Sequence, residues 1–299
     1  MSCTLSSPLP YNRQTALAST IAADNAANIA GKTILTTGVT QGGLGATFVE
    51  AIAQYKLRLL ILAGRSTEKV GATVRKTKSN PRSSDVEIKV LELDLASQKR
   101  VRQAANVVWG WQDVQHIAVL VNSAGIMAGP YKTTQEGIGN QFGSNHIGHF
   151  FPRIVNVASD GHRFGGVYEQ WEAYEQSKTA DILFSRALAE KLGPKGLKAY
   201  SLHPGEGLTE VKGAKDKEIG WNRELDLKNL DECAATHVAA AFDPRLDDTY
   251  CKFRLDRIND TLTRVTDYNG VYLENGNLSA DVEKLWKLSE KLVGQEFAY

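Results

Sequence analysis

The sequence predicts an α/β fold, a single doubly wound parallel sheet with helices on both faces. Three observations carry this. From Gly31 onward, short apolar segments alternate with longer segments of helical spacing. The strand segments are near-continuous apolar runs, and a strand apolar on both sides is one covered on both faces of a parallel sheet. A glycine-rich turn, Gly38 to Gly45, joins the first such strand to the first helix.

The elements follow in order. Residues 32–36 are a short β-branched run that ends in glycines. Residues 43–55 show helical spacing through Leu44, Phe48, Ile52 and Ala53. Residues 57–63 are a buried strand interrupted by Arg58, and 68–79 are polar and helical. Residues 86–93 form a strand in which Ile88, Val90, Leu91 and Leu93 are apolar. Ser97 is placed to cap a helix running to about Trp111. Residues 117–121 are a strand, 134–150 a helix, and 153–157 a strand. Residues 168–192 make a long amphipathic helix stopped by Gly193-Pro194. Residues 197–202 are a strand before His203-Pro204-Gly205. Helices at 230–242 and 280–293 complete the pattern. No linker or repeat divides it, so residues 31–299 read as one domain. Residues 1–30, rich in Ser, Thr, Ala and Asn without an apolar core, read as a flexible arm and not a secretory signal.

Composition narrows the function. Of 299 residues, 42% are hydrophobic and 23% charged, which is ordinary for a globular protein. Lys+Arg 35 against Asp+Glu 34 leaves +1, so no global field draws the chain to nucleic acid. No apolar run approaches the ~20 residues of a membrane span. Cys3, Cys233 and Cys251 are odd in number and scattered, which suits a reducing compartment, the cytoplasm. His146 and His149 lie at i and i+3 but lack a third ligand of suitable spacing, so no metal is expected.

The turn Thr36-Thr37-Gly38-Val39-Thr40-Gln41-Gly42-Gly43-Leu44-Gly45 has a chemical reading. Glycines let the backbone approach a pyrophosphate while the following helix N-terminus aims its free N–H groups at the anion. A bare tight turn is the bland alternative; the position between an apolar strand and a helix favours a Rossmann-type dinucleotide site. An Asp or Glu some 20 residues on would accept the ribose 2′-hydroxyl of NAD, whereas an Arg accommodates the 2′-phosphate of NADP. Here the second strand ends in Gly64-Arg65-Ser66, and no carboxylate occurs before Glu68. NADP(H) is therefore favoured over NAD(H).

Tyr174 and Lys178 stand at i and i+4 on one face of the long helix. A free tyrosine titrates near ~10, and a neighbouring ammonium can lower that by roughly 1–3 units, giving a usable general acid or base. Alone this pair means little. Ser159, just after a buried strand, adds a hydroxyl where α/β folds carry their chemistry.

Together, Gly38…Gly43-Leu44-Gly45, Asn122-Ser123-Ala124-Gly125, Asn145, Ser159 and Tyr174-xxx-Lys178 resemble the short-chain dehydrogenase/reductases. Leu93-Asp94-Leu95 and His203-Pro204-Gly205 add to the likeness. The blocks Leu60 to Arg65, Asn145 to Phe150 and Ser201 to Gly205 most resemble the retinol-dehydrogenase-like branch, in the form found in filamentous fungi. The resemblance implies catalytic roles for Ser159, Tyr174, Lys178 and Asn145. Tyr174 exchanges the proton, Lys178 holds the nicotinamide ribose, Ser159 hydrogen-bonds the substrate oxygen, and Asn145 holds a relay water. It also implies a cofactor site formed by Gly38, Thr40, Gln41, Gly43, Leu44, Gly45, Arg65, Asp94, Leu95, Asn122, Ala124, Gly125, Tyr174, Lys178 and Pro204. The implied activity is alcohol–carbonyl interconversion on a small apolar substrate.

Some features depart from the family. Four residues separate Gly38 from Gly43, Ser123 replaces an Asn, and Ala158 replaces a Ser. Asn145 and Ser159 are only 14 positions apart. That shortens the helix through which family members form a homodimer and bears on the relay role of Asn145. A nucleotide-binding protein without turnover is the alternative reading. An epimerase or dehydratase is a third, but the chain after His203 is short for its larger lobe. Residues 250–266 read as an inserted loop, and the Lys- and Glu-rich stretch 206–228 reads either as a solvated face or, as the resemblance implies, as a substrate lid that includes Trp221 and Leu225.

Overall fold

The computed structural model describes residues 11, 15–127, 129–149, 154–157, 170–205, 228–246 and 278–297. Among them, six strands form one parallel sheet: β1 Thr33–Thr37, β2 Leu59–Gly64, β3 Ile88–Glu92, β4 Val119–Asn122, β5 Ile154–Val157 and β6 Ala199–Leu202. Their order is β3-β2-β1-β4-β5-β6. Thr37 pairs with Ala63 on one side and Asn122 on the other, and Val157 pairs with Leu202. The strand order reverses between β1 and β4, which opens a crevice at their carboxyl ends.

The apolar runs are continuous because alternate side chains feed two separate cores. Ile34, Leu60, Leu62, Val119 and Val121 point into one, against Ile21, Phe48, Ile52 and Val238. Leu35, Leu59, Ile61, Ala63 and Leu120 point into the other, against Ile182, Phe184, Leu188 and Trp286. The first core is covered by α1 Ala18–Asp24, α3 Leu44–Ile52 and α8 Leu230–Phe242. α8 is buried all round from Cys233 to Phe242, and its run of alanines lets neighbouring backbones come close. α7 Gln170–Leu192 and α9 Leu278–Val293 contribute to the second core. The remaining helices are the short α2 Ala26–Ile29, α4 Thr67–Ser79, α5 Gln98–Gly110 and α6 Asn140–Phe142. No described helix is long and apolar enough to cross a membrane.

Four expectations need correction. The arm is not loose over its described part. Ala18, Ile21, Ala22 and Ile29 are buried, and Ser19 donates to the Asp231 carboxylate through its N–H (3.0 Å) and its hydroxyl (2.6 Å). Tyr11 is buried too, with the Arg245 guanidinium 5.3 Å from its ring centre. These residues escape a periodicity reading because their burying surface, α8, lies more than two hundred residues away.

Ser97 occupies the N-cap position of α5 but does not cap it. Its hydroxyl donates to Gln135 Oε1 (2.9 Å), and Glu136 Oε1 takes the Gln98 N–H (2.7 Å). A loop distant in sequence thus performs the capping. The helix expected over 134–150 shrinks to α6 and a single π-helical stretch, Gly143–Ile147. Thr134 instead closes a turn, its N–H donating to the Ile138 carbonyl at 2.7 Å. α7 is not amphipathic in its middle: Ser177, Lys178 and Ala180 through Ser185 are all buried, because sheet and α9 enclose it.

Candidate active site

At the carboxyl ends of the strands the structure brings Gly125, Asn145, Tyr174 and Lys178 of the sequence-predicted residues together. Gly38 follows β1 with φ +71°, and a Cβ there would lie 2.5 Å from the Ala124 backbone nitrogen. Only glycine permits that approach. The adjacent Thr37 hydroxyl oxygen accepts the Ala124 N–H at 3.1 Å, so the turns after β1 and β4 are stitched together. Gly45, in the first turn of α3, would place a Cβ 2.7 Å from the Gly38 carbonyl oxygen. The helix start can therefore stand directly against the turn. Thr40 accepts the Gly43 N–H at 3.0 Å, and the Val39 carbonyl accepts the Thr73 hydroxyl at 2.7 Å, which anchors the turn to α4. No side chain caps α3, whose Leu44 is its first residue. Its leading N–H groups are left to meet an anion.

Arg65 follows the last residue of β2, exposed and without an ion-pair partner among the described residues. Past β3, Asp94 Oδ1 accepts the Ala96 N–H at 3.0 Å, and Leu95 is buried. Leu95 packs on Gly148, where a Cβ would lie 2.8 Å from the Leu95 Cβ. The loop after β3 is thereby fixed to the π-helical turn that carries Asn145.

Asn122 ends β4 and is buried. Gly125 stands between two of the predicted residues: a Cβ there would stand 3.6 Å from Asn145 Oδ1 and 3.7 Å from Lys178 Nζ. Asn145 is a brace. Its Oδ1 accepts the Ile126 N–H (2.8 Å), and its amide donates to the Ile126 carbonyl and to Ser177 Oγ, both at 2.9 Å. Both amide protons are thus committed to protein acceptors, and any water held at Asn145 has to be held by an oxygen. Ser177 in turn donates to the Tyr174 carbonyl at 2.6 Å. The loop after β4, the π turn and the start of α7 form one hydrogen-bonded unit.

On α7, Tyr174 is half-buried, and Lys178 Nζ lies 5.7 Å from its ring centre. Lys178 is buried and donates to Asp181 Oδ2 at 2.9 Å. Burial pulls the Lys178 ammonium toward deprotonation, but the Asp181 charge, the Tyr174 oxygen and the hydrogen bond to Asp181 together outweigh it and hold the group above the usual lysine range. Burial pushes the Asp181 carboxyl up to about 6, against the pull of Lys178.

The π turn presents two histidines to this pair. His146 Nδ1 is 3.9 Å from Asp181 Oδ1. Ser289 donates its hydroxyl proton to the Leu285 carbonyl (2.8 Å), so His146 Nε2, 2.9 Å from the same oxygen, is the protonated ring nitrogen. His149 Nδ1 donates to the Asn145 carbonyl at 2.8 Å. Burial above all, with Lys178 adding to it, pushes both imidazoles down to about 3, so both are neutral.

Pro204 follows β6 and is buried beside Gly205, whose Cβ position would be 2.8 Å from Lys228 Cδ. Ser159 lies outside the described residues; β5 ends two positions before it. The lid residues Trp221 and Leu225 and the inserted loop 250–266 also lie outside them. Asp181 and Ser177 were missed by sequence reasoning. An acidic side chain at i+3 from Lys178, inside the otherwise apolar run Ala180 to Leu183, is the signal that could have found Asp181.

The family model for short chain dehydrogenases matches residues 32–220. Retinol dehydrogenase 13 of Homo sapiens is 32% identical over 211 residues, covering 62% of this chain and 62% of its own length. The match therefore spans less than two thirds of that relative. Oxidoreductase fscI of Fusarium equiseti is 32% identical over 248 residues, 64% of this chain and 93% of its own. An uncharacterised protein from Mycobacterium paratuberculosis superposes with a TM-score of 0.64 at 28% identity, over 92% of this chain and 99% of its own. A short-chain dehydrogenase from Sphingobium yanoikuyae, solved with NADPH, has a TM-score of 0.56 at 23% identity, over 72% of this chain and 85% of its own, a likeness of fold.

Proposed function

The chain belongs to the short-chain dehydrogenase family, and from that premise we propose that it is an NADP(H)-dependent oxidoreductase interconverting an alcohol and a ketone or aldehyde on a small, largely apolar molecule. The observation that carries the reading is the meeting of Gly125, Asn145 and Lys178, with Tyr174 one turn before Lys178, at the carboxyl edge of the sheet. The backbone cradle at Gly38 and Gly45, which a Cβ would fill, fits a pyrophosphate. Arg65, exposed after β2, suits a 2′-phosphate. The likeness to retinol dehydrogenases supports an apolar alcohol or carbonyl as substrate.

The nicotinamide supplies or accepts the hydride when bound. In reduction, the Tyr174 hydroxyl gives its proton to the carbonyl oxygen as that oxygen gains charge; in oxidation the phenolate takes it back. Lys178 carries the positive charge beside the ring and is placed to hold the nicotinamide ribose. Ser159 donates a hydrogen bond to the substrate oxygen. Asn145 keeps the loop after β4 in register with α7, so that cofactor and proton donor stay aligned. Cys233 is a buried thiol in no disulfide among the described residues, which agrees with a reducing compartment, and we place the protein in the cytoplasm.

Tyr174→Phe tests the assignment. Turnover with a panel of carbonyl substrates is expected to vanish, while NADPH titration stays unchanged. Full activity in that variant refutes the role given to Tyr174.

A further inference from the structure

His149 carries in its side chain a hydrogen bond that its backbone gives up. In an α-helix its N–H would donate to the carbonyl four residues back, that of Asn145. The turn Gly143–Ile147 is wound otherwise. The Gly148 N–H reaches back five residues to the Gly143 carbonyl at 2.9 Å, and the His149 N–H reaches back only three, to the His146 carbonyl at 3.1 Å. Between the wide turn and the tight one, every described backbone donor passes over the Asn145 carbonyl. Asn145 is buried, and an enclosed carbonyl left without a donor is costly. The His149 imidazole returns to it. Its Nδ1, 2.8 Å away, faces an oxygen that can only accept, so Nδ1 carries the ring proton. The ring is 4% exposed, and its bare Nε2 meets no partner among the described residues. The side-chain hydrogen bond that the structure gives this enclosed ring is the one to Asn145.

We propose that His149 is a positioning residue, which holds the Asn145 peptide in the orientation that keeps the Asn145 amide braced between the loop after β4 and α7. This rests on the active-site reading given above and deepens it. From that peptide the Asn145 side chain spans to the Ile126 N–H at 2.8 Å and to the Ile126 carbonyl and Ser177 Oγ at 2.9 Å. Three bonds of that length to two separate segments leave the peptide little room to turn. In a regular helix the ladder bond at the carbonyl would hold it. Here the bond comes from a side chain four positions on, and the local pitch can stay wide without freeing Asn145.

The other supports of the π turn act on it as a body. Gly148 lies against Leu95, and Gln98 Nε2 donates to the Ile147 carbonyl at 3.3 Å, so the loop after β3 and the start of α5 hold it from outside. His146 Nε2 meets Ser289 on α9 at 2.9 Å. Among the described residues, His149 alone reaches the Asn145 carbonyl.

The test compares His149→Leu, His149→Asn and His149→Gln with the unaltered full chain. The amide nitrogen of Asn falls near the place of Nδ1 and keeps the donor; that of Gln falls near Nε2 and does not. Hydrogen exchange is read first, without cofactor. In His149→Leu the Ile126 amide is expected to exchange about tenfold faster, over and above any change at Leu62, a β2 amide that reports opening of the whole fold. With NADPH and a carbonyl substrate, kcat is expected to fall about tenfold or more, while KM and the NADPH titration hold. His149→Asn is expected to recover both readouts and His149→Gln neither. Exchange at Ile126 that changes only in step with Leu62 overturns the proposal, as does a His149→Asn variant no better than His149→Leu, or recovery by Gln as full as by Asn. Should His149→Leu fail to fold, the imidazole nitrogen resonances of the unaltered protein at neutral pH decide: Nδ1 protonated and Nε2 bare is expected, and the reverse tautomer overturns the proposal. Turnover surviving Tyr174→Phe would fell the active-site reading instead; exchange at Ile126 needs neither cofactor nor substrate and still decides what His149 holds.

Discussion

Arg65 follows the carboxyl end of β2, exposed to solvent, and among the described residues no carboxylate pairs with it. A guanidinium so placed can fork onto a phosphate, and charge-assisted bonds of that kind contribute about 1.5–3 kcal/mol. Arg65→Ser is accordingly expected to weaken NADPH binding about tenfold or more and to leave NADH binding nearly unchanged, as read by fluorescence titration with each nucleotide. Equal loss for both would mean that Arg65 does not discriminate between them. Residues of this kind are legible in sequence because their meaning depends on a local position: Arg65 after a strand, Tyr174 and Lys178 one turn apart. Asn145 and Asp181 show where legibility stops. The bonds of Asn145 reach Ile126, 19 residues away, and Ser177, 32 away, and no spacing rule announces them. Asp181 leaves one local trace, an acid three positions after Lys178 in an apolar run, and only the burial of α7 shows it to be an enclosed charge.

Among the elements, the pairing of α1 with α8 departs furthest from expectation. α8 presents Ala234, Ala235, Val238 and Ala239, all buried, and α1 lays Ala18, Ile21 and Ala22 over the same core. Ile21 is fully buried. Truncating it leaves a cavity that a close alanine-rich packing cannot refill. Ile21→Ala is therefore expected to lower stability by about 2–5 kcal/mol, measured as a shift in the urea midpoint. If residues 15–30 were a dispensable arm, the midpoint would not move. The strands were readable because each one's own apolar run implies cover on both faces. α1 was not readable, since it has too few apolar residues to define a stripe without its partner. The stretch 134–150 misled for the opposite reason. It has helix-compatible spacing, yet Thr134 closes a local turn, and only Asn140–Ile147 coils, partly with the wider π pitch that sets Asn145 and His149 against Lys178.

At the scale of the whole molecule, buried histidines set the acid limit of the fold. His146 and His149 are held down to about 3 and His237 to about 4, each chiefly by burial. In the unfolded chain each takes a proton near ~6.5, so between that value and the folded one the unfolded state binds more protons. Stability from these groups is complete above about pH 6.5 and drains as pH falls. The loss reaches about 2–3 kcal/mol per histidine near pH 4. Asp181, raised to about 6, acts with the opposite sign between its unfolded and folded values, but it is one group against three. Urea unfolding at about pH 7 and about pH 4.5 should show a clear fall in midpoint on the acid side; equal midpoints would contradict neutral burial of the histidines.

The tie between Ser19 and Asp231 spans 212 residues of sequence. A ribosome adding roughly 5–20 residues per second needs roughly 10–40 s to make that intervening stretch. Throughout that interval the apolar side of the first helix has emerged and its seat on α8 does not yet exist. The segment that carries α1 consequently docks only after α8 has been made, and Ile21 and Ile29, buried in the folded protein, are what a growing polypeptide offers to chaperones in the meantime.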